Sequence, residues 1–352
     1  MEVLVEAVES AEQAETRATA AKAVASRWFI LARLSARPPN PLSPGHYRVS
    51  VNPWTPLVVA TMGWALSTVV SRSLLEDGVD PFSLVAMRMG FAMAAMALAV
   101  LTALRFRSTG REAWVKGGLL GVISLMIPMV LMTVGLEDVP VSIGGLLIAL
   151  VPLSTILAAH FLVEDERFNP RSVPGLVLSL VGTGVLVGIG GNDVEGVGNL
   201  WRGVAYVTAG VILAGLGGAL TRRFAQEVPG ESLVLPQFAV AAVAMALILP
   251  MLPAEGVGGW SGGDWLQVAV IGVVGTALPH AAFLIGASIN SAARLALTGY
   301  SVPVVAILLA IVMLGERLTP SVGVGAVMII GGVVLVERST VHYPEPGFAT
   351  SR

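Results

Sequence analysis

The chain has 352 residues, 55% of them hydrophobic and only 12% charged, with a formal net charge of −2 and no cysteine. Soluble domains carry roughly 25% charged residues, so this composition, with a mean hydropathy of +0.81, reads as an integral membrane protein. Disulfides and thiolate metal sites are excluded by the missing cysteine, and the near-neutral charge offers no basic surface to nucleic acid.

Residues 1–52 differ from the rest. Glu2, Glu6, Glu9, Glu12 and Glu15 come first, and Arg17, Lys22, Arg27, Arg33 and Arg37 follow. Acid-first, base-last order suits a helix macrodipole and an amphipathic surface helix; a disordered tail, or a start placed too far upstream, is the alternative. The acidic beginning and the Pro-rich PPNPLSP at 38–44 argue against a signal peptide.

A bilayer core of about 30 Å takes roughly 20 apolar residues per helix. Ten runs qualify: 55–74, 82–104, 114–136, 140–163, 171–190, 201–220, 232–252, 264–287, 291–314 and 319–336. Their length and lack of alternation exclude barrel strands. Trp54, Trp114, Trp201, Trp260 and Trp265 fall near the run ends, where indole rings favour the headgroup zone. The expected fold is therefore all-α with ten transmembrane helices, followed by a short cytoplasmic tail at 338–352.

The runs repeat. Ser71-Arg72 ends the first as Thr221-Arg222 ends the sixth, and Pro128 in the third matches Pro279 in the eighth. Pro152 matches Pro303, Gly175 and Gly182 match Gly325 and Gly332, and DERFNP (165–170) matches GERLTP (315–320). An offset of about 150 held through prolines and charged loops is an internal duplication, placing one five-helix repeat at 53–190 and a second at 199–337. Five is odd, so the second copy enters the membrane from the opposite side. Charge agrees: loop 2–3 carries Arg105, Arg107, Arg111 and Lys116, whereas its counterpart at 253–265 has no Lys or Arg. Of the 21 Lys and Arg, only Arg72, Arg202 and Arg317 fall on the other side, and Arg88 lies within a span. The positive-inside rule then puts both termini in the cytoplasm, in a cell (inner) membrane. Inverted repeats are a recurring build of secondary transporters, which expose a site between the halves to each side in turn.

The ordered set of GER-like hairpins, polar-Pro corners and Gly-rich last spans, with Trp64-Ala65-Leu66-Ser67 in span one and Arg88 after Pro81, resembles the drug/metabolite transporter superfamily, EamA type, across about residues 53–337. The resemblance implies a ten-helix carrier that exports metabolites, amino acids or xenobiotics through a central cavity. The small multidrug resistance branch relies on a carboxylate in span one, and this chain has none there. Proton antiport by that route is therefore not expected, and coupling through His280, or plain facilitation, is.

Candidate substrate-binding residues are Trp64, Arg88, Gln237, His280 and Tyr300. Arg88 lies roughly 9–10 Å into span two at 1.5 Å per residue; it either lines a cavity or snorkels to the headgroups. Gln237 occupies the matching place on span seven. His280 follows Pro279; it can contact substrate or a proton, or bond a carbonyl freed by the proline kink. Trp64 and Tyr300 sit inside spans, lining a cavity or simply packing. Spans five and ten, rich in glycine, suit a tight pair within the chain or a homodimer contact. In the hairpins, Asn169 and Thr319 suit helix caps before Pro170 and Pro320, which makes ER-x-[NT]-P a structural corner.

No Walker A or HExxH pattern is present, so ATP-driven transport and metalloprotease chemistry are not indicated. No metal or other cofactor is expected. The partners are the bilayer and a small-molecule substrate. The reading is a secondary transporter of small organic solutes rather than an enzyme; an intramembrane enzyme or non-transporting scaffold is the alternative.

Overall fold

The computed structural model describes residues 52–103, 110–162, 170–188, 199–225, 227–228, 230–289, 292–316 and 319–340. The expectations for the N-terminal tail, for most of DERFNP and for the end of the chain lie outside them. The described residues of 53–96, and those from 109 onward, belong to one compact unit. Among the described residues all regular structure is helical.

The described residues form thirteen α-helices, in order α1 (Trp54–Glu76), α2 (Pro81–Ala103), α3 (Arg111–Leu120), α4 (Ile127–Gly135), α5 (Val141–Ile148), α6 (Val151–Leu162), α7 (Val173–Gly188), α8 (Leu200–Ala225), α9 (Gly230–Ile248), α10 (Gly262–Gly272), α11 (Leu278–Ile289), α12 (Ala292–Leu314) and α13 (Pro320–Thr340). Short π-helical stretches, Gly121–Met126 and Val273–Ala277, join α3 to α4 and α10 to α11. Among the described residues seven stretches are long and apolar enough to cross a bilayer; the apolar stretches Ser301–Leu314 and Pro320–Val336 are shorter. Large apolar side chains such as Leu247, Val312 and Val327 point outward, as they do where the solvent is lipid.

Local chemistry explains the joints. The hairpin from α1 to α2 turns at Gly78, whose φ of +86° suits a residue without Cβ. Asp80 then caps α2, its Oδ2 accepting the Ser83 N–H at 2.7 Å, with Pro81 in the first turn where its missing N–H costs nothing. Each π stretch lies just ahead of a proline, Pro128 or Pro279. A proline ring clashes with the carbonyl four residues back and removes a donor, and a widened turn accommodates both changes. At Pro152 the solution differs: the helix breaks at Ala149–Leu150, leaving α5 as an eight-residue piece. Its counterpart α12 runs unbroken through Pro303. Thr319 caps α13 as expected, its Oγ1 accepting the Val322 N–H at 3.4 Å.

Glycine and serine set the close contacts. α7 packs along α13: a Cβ on Gly175 would lie 2.5 Å from the Gly332 carbonyl oxygen, and Ser179 Oγ donates to Ile329 O at 3.3 Å. This is the tight pair expected of the Gly-rich runs, here formed within the chain. α8 lies against α4 and α6, α1 against α11 and α12, and α9 against α3.

Polar ties gather at the helix ends. Arg72 Nη1 donates to the carbonyls of Leu136 (2.5 Å) and Glu137 (2.9 Å). Arg202 makes a two-point contact with buried Asp138, at 2.5 and 2.9 Å. Elsewhere, Lys116 pairs with Glu112 (2.5 Å) and with Glu227.

Candidate functional site

The polar chemistry inside the bundle centres on Thr276, in the π stretch before Pro279. Its hydroxyl donates to Ile271 O at 2.8 Å, five residues back, and accepts from Arg88 Nε of α2 at 2.7 Å. The Thr276 carbonyl lies 2.7 Å from His280 Nδ1. A carbonyl only accepts, so Nδ1 carries the proton and Nε2 presents a lone pair. Arg88 and His280 are thus linked through the two polar groups of one residue. His280 thus bonds a backbone carbonyl one turn back, that of Thr276, an arrangement compatible with its contacting a substrate as well. That bond also orients the ring for contacts on its other edges.

Arg88 does not snorkel. It is only 9% exposed, and its second bond, from Nη1 to Ser71 Oγ of α1, is long at 3.4 Å. Both acceptors are neutral hydroxyls, and among the described residues no carboxylate pairs with it. A guanidinium has five N–H donors, and a buried charge without a counter-ion is costly. Arg88 therefore keeps N–H donors that neutral hydroxyls alone do not match in charge. Nearby on α1, the buried Ser67 Oγ has no hydrogen-bond partner.

Aromatic rings surround His280. Trp64 of α1 meets it edge-on, centroids 5.5 Å apart at 86°, and Phe238 of α9 does so at 5.4 Å and 86°. Phe283, one turn along α11, stacks at a tilt on Trp64 at 5.5 Å. Such pairs hold ring positions at about 0.5–1.5 kcal/mol each. The arrangement offers a cation, a lone-pair acceptor and apolar ring faces within one joint.

The structure thus brings Trp64, Arg88 and His280 together. Gln237 is half-buried where α9 meets α3, its backbone carbonyl against Gly121; its neighbour Phe238 is the residue that reaches His280. The Tyr300 side chain lies outside the described residues. Thr276, Ser71, Phe238 and Phe283 escaped sequence reasoning. Only Thr276 left a trace, four positions before His280 on one helical face. Among the described residues no cluster of three or more His, Asp or Glu is placed to hold a metal.

At the rim, burial raises the Glu137 carboxyl above its usual range, with Asp138 beside it acting the same way. The hydrogen bond from Lys116 lowers that of Glu227.

A bundle of apolar helices long enough to cross a bilayer, with a polar joint buried among them, defines a multi-pass membrane protein. The chain matches the EamA-like transporter family over residues 56–188 and again over 201–338; it belongs to that family and is a membrane transporter. It is 27% identical over 201 residues to the aromatic amino acid exporter YddG of Ancylobacter novellus, covering 57% of this chain and 68% of that one. It is 28% identical over 292 residues to a probable terminal-alkyne amino-acid exporter of Streptantibioticus cattleyicolor, covering 81% and 93% respectively. An uncharacterized transporter of Bacillus subtilis, YxxF, is 24% identical over 232 residues, 64% of this chain and 71% of that one. A solved crystal structure superposes with a TM-score of 0.61 over 83% of this chain and 99% of its own, at 22% identity, a likeness of fold.

Proposed function

We propose that the protein exports amino acids or similar small organic metabolites that combine a carboxylate with an unsaturated apolar group. The observation that carries this reading is the buried Arg88 guanidinium, without a carboxylate partner among the described residues, beside the rings of Trp64, Phe238 and Phe283. Arg88 receives the substrate carboxylate through charge-assisted bonds. His280 Nε2 accepts from the substrate ammonium, the rings hold its apolar part, and Tyr300 joins the binding set. Two relatives are named as exporters of aromatic and of terminal-alkyne amino acids, both substrates of that chemistry.

Transport proceeds by alternating access between two inverted five-helix repeats, 53–190 and 199–337, as ten membrane helices in the cell (inner) membrane with both termini cytoplasmic. Three kinds of observation support this. The family match falls in two stretches. Contacts exchange under an offset of 149–151: Gly121 meets the Gln237 carbonyl as Gly272 meets that of Arg88, and Gly217 meets Ser124 as Ser67 meets Gly275. The side-chain ties join only loops that parity puts on one side: Arg72 with residues 136–137, Asp138 with Arg202, and Lys116 with Glu227.

Flux into or out of proteoliposomes tests the function, with a panel of L-phenylalanine, L-tryptophan, propargylglycine, purines and cationic dyes. The expected result is flux of the first three and none of the cations. Absence of flux for every class in folded protein sinks the transporter assignment of substrate and mechanism, and dye flux without amino acid flux overturns the role given to Arg88.

A further inference from the structure

The segment between α4 and α5 is gripped from three directions. Arg72 holds the carbonyls of Leu136 and Glu137, Arg202 holds Asp138, and Glu316, from the corner between α12 and α13, reaches the first turn of α5. Its two carboxylate oxygens accept the N–H groups of Val141 at 2.6 Å and Ser142 at 3.0 Å. α5 has Pro140 at its N-cap and no side-chain cap of its own. Helix N-termini leave N–H groups unsatisfied and favour negative charge. Glu316 therefore supplies from 175 positions away the cap that α5 lacks. Gly315, with φ +68°, turns the chain out of α12 so that the carboxylate can do so.

Below the cap, α5 lies on α12. Val141 shares a buried cluster with Ala306 and Ala310 of α12 and with Ala65 and Val69 of α1. A Cβ on Gly145 would sit 3.7 Å from the Ala306 Cβ. So α5 is a short helix, set off from α6 by a tight turn at Ala149–Leu150, closed against the second repeat by small apolar side chains and latched by one carboxylate.

We infer that α5 is a gate on the non-cytoplasmic side, and that the Glu316 cap on Val141 and Ser142 is its latch. The inference rests on the alternating-access reading above. Opening breaks the two Glu316 bonds and parts α5 from α12, giving the Arg88 joint a route outward. A single charge-assisted cap is an economical latch, because water can replace it at the rim while the apolar seam below recloses without trapping polar groups.

The chain has no cysteine, so two engineered readouts are clean. The Gly145–Ala306 spacing falls in the disulfide range of about 3.5–4.5 Å between Cβ atoms. Oxidation of a G145C/A306C variant is expected to form the cross-link and abolish L-phenylalanine flux, with reductant restoring it and neither single variant responding. Separately, Ser142→Cys, at a site only 4% exposed, is labelled from outside with a membrane-impermeant maleimide. Adding Glu316→Ala should speed labelling about tenfold or more, the factor equivalent to one hydrogen bond of about 1.4 kcal/mol, and Glu316→Gln, which keeps one acceptor oxygen, should fall between. Undiminished flux through the cross-linked protein, or unchanged labelling in a monodisperse Glu316→Ala or Glu316→Gln variant, overturns the gate. If no variant carries phenylalanine but labelling still follows Glu316, the latch stands and the substrate reading is what fails.

Discussion

Two joints in this molecule share a backbone and differ in chemistry. In one, α1 and α2 meet the π stretch between α10 and α11; in the other, α8 and α9 meet the π stretch between α3 and α4. Gly272 lies against the Arg88 carbonyl and Gly121 against that of Gln237, and a Ser-Gly contact recurs with its members exchanged. The side chains then part company. Trp64, Arg88, Thr276 and His280 stand in the first joint where the second has Ala214, Gln237, Leu125 and Met129. Ser71 accepts from Arg88, while its counterpart Thr221 turns back to its own Gly217 carbonyl at 2.8 Å. Leu125 and Phe238 belong to one apolar cluster. Close backbone approach demands small residues in both joints, whereas the interior charge needs support in only one. Two joints alike in backbone contacts thus differ in polar chemistry.

The comparison can be broken by making the polar joint resemble its mate. Arg88→Gln installs the residue found in the second joint and is expected to lower amino acid flux about 100-fold or more in kcat/KM. Truncating one partner of a buried charge pair costs about 2–5 kcal/mol. Initial-rate flux in proteoliposomes measures this, and flux within a factor of about two of the parent would show that the guanidinium does not meet substrate.

Thr276→Val removes the hydroxyl that holds Arg88 while leaving the carbonyl that holds His280. A loss of about 1–1.5 kcal/mol predicts a rise in KM approaching tenfold with little change in kcat, and Thr276→Ser should restore the parent value. A fall in kcat alone, or failure of serine to rescue, would place Thr276 outside the binding set.

Gly217→Ala and Gly275→Ala probe what the joints have in common. A Cβ on Gly275 would lie 2.8 Å from Ser67 Cβ, and one on Gly217 would collide with Ser124. Each should destabilise by about 1–3 kcal/mol through overpacking, read as a lower Tm in detergent. Similar losses support equivalence of the two joints; a loss in only one contradicts it.

The smallest effect lies at the rim. Burial, then Asp138, raise the Glu137 carboxyl above 4.5, so the folded state disfavours its ionisation. Any stability tied to the protonated form is present below the unfolded pKa and is lost as pH rises through the folded one. Glu137→Gln should therefore raise Tm slightly at neutral pH and leave it unchanged towards about pH 4. A Tm gain equal at both pH values would refute the assignment.

Much of this was legible in the residues alone. Apolar runs, prolines, caps such as Thr319 before Pro320, the 150-residue offset and the one-sided Lys and Arg all follow from local hydropathy, local sterics and charge. They determined the all-helical membrane class and the family likeness, and they singled out Arg88, His280 and Trp64, which the fold brings together. The tertiary structure alone decided that Thr276 joins Arg88 to His280, that Phe238 rather than Gln237 reaches the imidazole, and that Glu316 of the GER corner caps α5, 175 positions away. Those facts depend on how each helix is rotated and where it crosses its neighbours. Periodicity in an evenly apolar helix cannot encode that rotation, because without a polar face every orientation reads alike.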